Sequence, residues 1–223
     1  DEAMRELDRA DALIDAEKIE NRAMLYRLAA ARIVLAARQH RPQDAQAALD
    51  HWQGRTGRSS PPKSGDRVAL TLACKVGAAQ GDPAAARRLC EAALALSAGS
   101  TGTGDPILSE GQVGWLLGSV LLRSDAAAAV PVLRRAVERL EATLDPDRSP
   151  AVAGARIALA QALLAAGDRS GAGEALAGAA AIAARHPELS PYYLEPLRRA
   201  KLALRSGSCS CRRPTAAPSA TNC

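Results

Sequence analysis

Apolar residues follow helical spacing along most of the chain. One stripe runs through Leu133, Val137, Leu140 and Leu144, at steps of three and four residues that place them on one face of a helix. The segments between successive turn signals are about 12 to 20 residues long, which is an ordinary length for a helix. The pattern therefore predicts a succession of amphipathic helices with very little β-strand.

The turns between these segments carry the chemistry of helix ends and starts. Gly81 and Gly167 can adopt the left-handed backbone conformation that ends a helix. Each is followed by an aspartate, Asp82 or Asp168, that can cap the next helix, and Pro83 suits a first helical position. We therefore expect tight connections between antiparallel neighbours at these places.

The segments repeat. The turn positions Gly81, Ser124 and Gly167 are separated by 43 residues each time. In the same register the following residues coincide: Ala86, Ala129 and Ala172; Cys90, Leu133 and Leu176; Ala93, Ala136 and Ala179. We expect the small residues to let the two helices of a hairpin cross closely, and the larger one to fill the groove between neighbouring hairpins. A weaker copy, at a spacing of 41, contains Ala45, Leu49 and Trp52.

This pattern resembles the second half of the tetratricopeptide repeat in its 42-residue form. The residues that carry the resemblance are Leu159, Leu163, Gly167, Ala172, Leu176 and Ala179. Arg156 and Ala160 stand where the family has its first-helix Trp and Gly. More weakly, residues 145–204 resemble the C-terminal repeat region of some bacterial serine/threonine protein kinases. The kinase motifs themselves are absent from the sequence.

The resemblance implies an all-α fold, an α-solenoid of antiparallel helical hairpins. We expect three to four hairpins within residues 1–205, a leading helix near 1–18 and a C-terminal capping helix near 188–205. Residues 206–223 are rich in Ser and Pro and contain three cysteines, and we predict a disordered tail there.

Composition changes this picture little. Aromatic residues make up only 2% of the chain, so the core must be mainly Ala and Leu, which suits closely packed helices. The net charge of +5 raises the question of nucleic acid. However, the arginines alternate with Asp and Glu along the helices, as on a solvated face, which argues against a nucleic-acid partner.

The cysteines form no recognisable framework. Cys74 and Cys90 lie inside predicted helices and are expected to be free, buried thiols. For Cys209, Cys211 and Cys223 a redox or metal role is the lesser alternative to a plain disordered tail. We therefore expect no metal and no cofactor, and a cytoplasmic protein.

No apolar run is long enough to cross a membrane. The sequence begins without Met, which suggests an excerpt of a longer protein.

No catalytic motif is present. The sequence lacks a phosphate-binding G-x-x-x-x-G-K loop, a G-x-S-x-G nucleophile elbow and an H-E-x-x-H zinc site. We therefore predict that the chain is not an enzyme and has no catalytic residues. An enzyme built on a helical bundle stays the third hypothesis, which a buried group of three or more charged or His side chains would revive.

In the tetratricopeptide family the first helix of each pair lines the concave surface, where partners bind. This register assigns six residues to that surface: Arg27, Arg38, Thr71, Lys75, Trp115 and Gln161. The three cations are candidates for holding an acidic segment or a C-terminal carboxylate, or they are solvated. Trp115 is either a binding anchor or packs between two hairpins. Tyr192 and Tyr193 are expected to cover the end of the solenoid.

These inferences predict a protein-interaction or scaffold module of a larger bacterial signalling protein, a serine/threonine kinase being one candidate. The predicted partner is a protein or peptide, and an upstream domain of the same protein is one candidate. The alternative is the ligand-sensing helical-repeat region of a bacterial transcription regulator. A basic groove with an exposed Trp115 would favour peptide docking, whereas a closed apolar pocket would favour a small ligand.

Overall fold

The computed structural model describes residues 2–19, 21–98 and 108–206. Within these ranges the chain is all-α, with ten helices and no β-strand. The helices are α1 Glu2–Ala16, α2 Arg22–Arg38, α3 Pro42–Thr56, α4 Arg67–Gln80, α5 Pro83–Ser97, α6 Glu110–Leu121, α7 Ala126–Glu141, α8 Pro150–Ala165, α9 Arg169–Arg185 and α10 Pro191–Ser206. The predicted tail lies outside these ranges, except that Ser206 ends α10.

Consecutive helices pair into four hairpins, α2/α3, α4/α5, α6/α7 and α8/α9. The first helices of the hairpins also contact one another in the order α2, α4, α6 and α8, so the hairpins stack side by side. Helix α1 packs on α2 at one end, and α10 packs on α8 and α9 at the other. The all-α, repeat-like stack predicted from the sequence is confirmed.

Small residues of the repeat allow close crossing inside the α4/α5 and α6/α7 hairpins, as predicted. A Cβ at Gly77 of α4 would lie 3.3 Å from the backbone of Ala86 in α5, and one at Gly114 of α6 would lie 3.3 Å from the Cβ of Ala136. The larger residue of the repeat behaves differently from the prediction. Leu133 sits directly over Gly118 of its own hairpin, so it packs within the pair.

The predicted helix ends are formed by the expected residues. Gly81 and Gly167 adopt φ values of 79° and 86°, in the left-handed region that an L side chain rarely occupies. The carboxylate of Asp82 accepts a hydrogen bond from the Ala85 N–H at 2.8 Å. Asp168 accepts one from the Gly171 N–H at 2.9 Å. These caps satisfy donors that the first helical turn leaves without partners.

Cys74 and Cys90 are joined by a disulfide between α4 and α5. The expectation of free thiols at these positions was wrong. Both residues are fully buried, as expected for a small apolar side chain, but the hairpin brings their Cα atoms to 5.3 Å. That separation lies inside the range that a disulfide can span.

The core consists of separate clusters of buried residues, and α4 contributes to both of the larger ones. Ala73 and Val76 pack with residues of α1 to α3, whereas Cys74 packs with the later helices. None of the described helices is long and apolar enough to span a membrane.

Candidate functional site

Residues of α2, α4, α6, α8 and α10 line a groove. Two adjoining cavities of about 690 and 520 Å³ make up this groove. The five residues that line both of them are Arg38, Trp115, Ser119, Arg123 and Tyr192. They come from α2, α6, the turn after α6 and α10, so the groove exists only in the folded stack.

Trp115 forms the aromatic wall of the groove. Its half-buried ring lies against Gly154 of α8, where a Cβ would come within 2.5 Å of the Trp115 Cζ2 and Cη2 atoms and 3.0 Å of the Tyr193 Cε1. Glycine at this position therefore lets two aromatic rings approach the α8 backbone. Trp115 thus packs between two hairpins and also lines the cavity, and its role as a binding anchor stays a prediction.

A side-chain contact spans the groove from its first hairpin to its last helix. The guanidinium carbon of Arg38, in α2, lies 4.0 Å from the ring centroid of Tyr192, in α10. A cation over an aromatic face at this distance is attracted by the ring quadrupole. Tyr192 in turn packs edge-on against Tyr193, with ring centroids 4.7 Å apart. The first hairpin and the last helix therefore meet at the groove.

The groove is predominantly basic. Four cationic side chains line its cavities, from Arg38, Lys75, Arg123 and Arg199, and the acidic side chain among the lining residues is Glu195. The Glu195 carboxylate accepts a hydrogen bond from Arg199 at 2.8 Å, which neutralises that pair. Three positive charges are therefore left facing the same space.

Arg123 is held in place by the preceding hairpin. Its Nη1 donates to the carbonyl oxygen of Ala78 in α4 at 2.9 Å. A carbonyl orients the guanidinium without cancelling its charge. The remaining donors of Arg123 can therefore serve an anion in the groove.

Lys75 is half-buried in the wall of the smaller cavity. Desolvation by the surrounding protein lowers the pKa of its ammonium below the ordinary value of 10.5. Among the described residues no hydrogen bond or ion pair of this ammonium is found. A desolvated cation of this kind gains more from an anionic partner than an exposed lysine does.

Burial also affects the tyrosines of the groove. It raises the pKa of the Tyr192 and Tyr193 hydroxyls above 10, and the nearby Arg38 charge works in the opposite direction. Both rings are therefore neutral at physiological pH. They offer aromatic surface to a ligand without adding negative charge to the groove.

Four of the six residues assigned from the sequence line the groove: Arg38, Lys75, Trp115 and Gln161. Thr71 does not, and its assignment was wrong. It is buried, and its hydroxyl donates to the Arg67 carbonyl one turn earlier, at 2.8 Å. Arg27 is exposed on α2, three turns before Arg38, and lies outside both cavities.

Sequence reasoning missed Arg123. Tyr192 and Tyr193 were expected to cover the end of the stack; Tyr193 lies against Gly154 of the last hairpin, and both tyrosines also line the groove. Two adjacent aromatic residues in the first turn of the last helix were the available signal. The sequence could not show which way these two side chains point, because that depends on the curvature of the whole stack.

A second cluster of charges lies away from the groove and binds α1 to the first hairpin. Asp11 of α1 pairs with Arg55, with Arg32 at 3.3 Å and with His51 at 3.2 Å. Each oxygen of this carboxylate already has a cationic or imidazole partner. The side chains are partly exposed and mutually neutralised, so the cluster fits a structural role better than a catalytic one. No group of three metal-ligating side chains occurs in the described part of the chain.

The fold and the groove define an all-α protein with a repeat-like stack of helical hairpins. No family model matches the chain, and no curated protein matches it. A solved structure, that of BtubC (BKLC) from P. vanneervenii, has a similar fold, with a TM-score of 0.59. The two sequences are 15% identical, and the match covers 100% of this chain and 95% of BtubC. At this identity the similarity concerns the fold alone.

Proposed function

We propose that the chain is a protein-interaction module whose groove binds an extended, acidic peptide segment or a C-terminal carboxylate. The observation that carries the proposal is the set of cations facing the groove, Arg38, Lys75 and Arg123, beside the ring of Trp115. An anion would pair with the desolvated ammonium of Lys75, and an apolar or aromatic ligand side chain would pack on Trp115.

The proposal includes membership of the tetratricopeptide class and a binding role without catalysis. The repeat register, the buried small residues and the concave groove lined by first helices support that class. The wider context is a bacterial signalling protein, a serine/threonine kinase being one candidate for the parent. The second candidate is the ligand-sensing region of a transcription regulator. Charged side chains line both cavities, which favours a peptide over a small apolar ligand.

Peptides of matched length test the proposal directly. Each would carry one central aromatic residue flanked by acidic, neutral or basic residues, and fluorescence anisotropy of the labelled peptide would report binding. We expect the acidic peptide to bind most tightly and to weaken as salt is added, because salt screens the pairing. Equal affinity for the acidic and basic peptides would contradict the proposal.

Substitutions then locate the site. Arg38→Ala and Lys75→Ala should each weaken binding of the acidic peptide by about tenfold or more, the usual effect of losing a charge-assisted hydrogen bond. Arg27→Ala is the matched control, because it removes an exposed arginine of the same helix that lies outside both cavities. Equal losses for Arg27→Ala and Arg38→Ala would show that net charge, and not the groove, attracts the peptide.

The parent protein can be identified from the coding DNA upstream of Asp1. A kinase domain in the same reading frame would support the first context, and a DNA-binding domain would favour the second. The cytoplasmic location is also a proposal. The Cys74–Cys90 disulfide weighs against it, because disulfides persist mainly in oxidising compartments.

A further inference from the structure

The two end helices of the stack each present an exposed leucine on the face that points away from the neighbouring helices. Leu13 of α1 is 59% exposed and Leu202 of α10 is 63% exposed, the two most exposed of the large apolar side chains in the described ranges. In α1 the buried residue is Ile14, and in α10 the buried residues are Leu197 and Ala200. Both leucines therefore lie on the solvent-exposed side of their helix, away from its packed face.

The charges around the two leucines are opposite. Within one to three turns of Leu13, the same face of α1 carries Glu2, Glu6 and Glu17 with Arg9, a net charge of −2. The backbone N–H of Glu17 donates to the Leu13 carbonyl at 2.9 Å, so this residue continues the helical turn. Arg9 pairs with Glu6 at 2.6 Å, which leaves the face acidic.

Leu202 is surrounded in the same way but with the signs exchanged. The face of α10 around it carries Arg198 and Arg199 with Glu195, a net charge of +1. Here too one ion pair is internal, between Arg199 and Glu195 at 2.8 Å. Each end of the stack thus offers an exposed leucine, one internal ion pair and an excess charge opposite in sign to that of the other end.

We infer that the chain associates head to tail with a second copy of itself, α10 of one copy docking on α1 of the next. Opposite excess charges would attract the two ends, and the leucines would bury against each other's helix. Like ends would repel, so a symmetric α1–α1 or α10–α10 contact is disfavoured. Because the two surfaces differ, the contact is heterologous and can add further copies.

Such an interface is small. One helix face against another buries less than a standard stable interface of about 1,200–2,000 Å², so the association should be weak and dynamic. The α10 surface borders the proposed peptide groove, since Arg199 and Glu195 also line its larger cavity, whereas Leu13, Leu202 and the acidic residues of α1 line neither cavity.

Sedimentation velocity of the 223-residue chain, with Cys209, Cys211 and Cys223 replaced by serine to prevent thiol crosslinks, tests the inference. The average mass should rise with concentration beyond that of a dimer. The association constant should fall at least tenfold between ~0.05 and ~0.5 M salt, because the attraction is between exposed charges. A chain that stays monomeric up to about 1 mM, the weak end of protein affinities, would overturn it.

Two blocking variants establish the direction of the contact. Leu13→Arg blocks the acidic end and Leu202→Glu blocks the basic end, and each variant alone should be monomeric. Mixed in equal amounts they should form a one-to-one dimer that grows no further, because each supplies the end that the other lacks. Failure of the mixture to dimerise, or self-association of either variant at the original strength, would overturn the inference.

Leu96→Glu is the matched control. Leu96 is also exposed, at 40%, but it lies on α5 away from both ends. This variant should associate as the starting protein does. Circular dichroism of all variants would verify that the helices are intact. Equal loss of association in Leu96→Glu would assign the effect to general surface hydrophobicity and count against the head-to-tail contact.

Discussion

Gly154 lies where two aromatic rings cross helix α8. An added methyl would come within 2.5 Å of the Trp115 ring, a distance that no pair of packed carbons tolerates. We therefore predict that Gly154→Ala displaces Trp115 and lowers the free energy of unfolding by about 1–3 kcal/mol, the usual cost of overpacking. Thermal unfolding should show a decrease of about 2–4 °C in Tm per kcal/mol.

Gly173→Ala provides the control for this prediction, because Gly173 is the fifth residue of α9 as Gly154 is the fifth residue of α8. A Cβ there would meet only Leu204 Cδ2, at an ordinary 3.8 Å. This substitution should stabilise the protein by about 0.5–1 kcal/mol, since alanine is the better helix former. Equal effects of the two substitutions would mean that Trp115 does not rest on Gly154.

Lys75 should give the stability of the protein a distinctive pH dependence. Its pKa is lowered in the folded state, so between that pKa and the ordinary value of 10.5 the unfolded chain binds more protons. Stability contributed at this site therefore increases as pH rises through that window. We predict that the free energy of unfolding of the wild type, measured with urea, increases relative to that of Lys75→Met as the pH rises through this window. Parallel stability curves for the two proteins would contradict a desolvated ammonium at this position.

At the scale of the helical pair, the α4/α5 hairpin differs from its neighbours by one covalent bond. In the 43-residue register Cys74 corresponds to Leu117 and Ala160, and Cys90 corresponds to Leu133 and Leu176. All four of these counterparts are buried. The disulfide thus occupies a place that apolar packing fills in the following hairpins. The α4/α5 hairpin should therefore tolerate replacement of its two cysteines by the apolar residues that stand at the corresponding positions of another hairpin.

We predict that Cys74→Ala with Cys90→Leu, which reproduces the Ala160 and Leu176 pair, folds without the disulfide. Loss of a crosslink with a sequence separation of 16 should cost about 3 kcal/mol, and burial of the leucine should offset part of it. Cys74→Ala with Cys90→Ala should be less stable, because it leaves a cavity. The expected order of Tm is wild type, then the Ala/Leu variant, then the Ala/Ala variant.

Thiol titration in denaturant supplies the independent measurement for that prediction. If Cys74 and Cys90 are bonded, the wild type and the Ala/Ala variant have the same number of free thiols. Two additional free thiols in the wild type would show that the bond is absent. A reductant should lower the Tm of the wild type and leave both variants unchanged.

The sequence predicts the helices well because their signals are local. Periodic apolar residues and the caps at Gly81, Asp82, Gly167 and Asp168 act within one or two turns, and the structure confirms all four caps. The groove is also partly predictable. A repeat places its first helices on one side of the stack, so Trp115 and its neighbours fall on a common surface.

The wrong predictions concern two things: the face of a helix on which a residue lies, and how closely two helices approach each other. Eight of the fourteen residues of α4 are buried, so apolar periodicity cannot separate the side of Thr71 from the side of Lys75. The disulfide depends on a 5.3 Å approach of two helices, which spacing along the chain does not specify. The contact between Arg38 and Tyr192 depends on the curvature of four hairpins together.

Among the described helices, burial is lowest in α1, at the N-terminal end, and highest in α8, in the last hairpin. Helix α1 buries one residue, Ile14, and is held to the first hairpin largely by the ion pairs of Asp11. Helix α8 buries ten of its sixteen residues and contacts α6, α7, α9 and α10. In a stack where each unit contacts mainly its neighbours, local stability follows the number of packed neighbours.

This difference between α1 and α8 predicts which helix opens first and which opens last. In hydrogen exchange followed by mass spectrometry, amides of α1 should exchange fastest among the described helices and those of α8 slowest. Added salt should accelerate exchange in α1 more than in α8, because screening weakens ion pairs and leaves apolar packing intact. The Asp11→Asn variant should accelerate α1 alone, since it removes the carboxylate charge that Arg32 and Arg55 share. Equal protection of α1 and α8 would show that the stack unfolds as one cooperative unit, and the independent role of α1 would then be wrong.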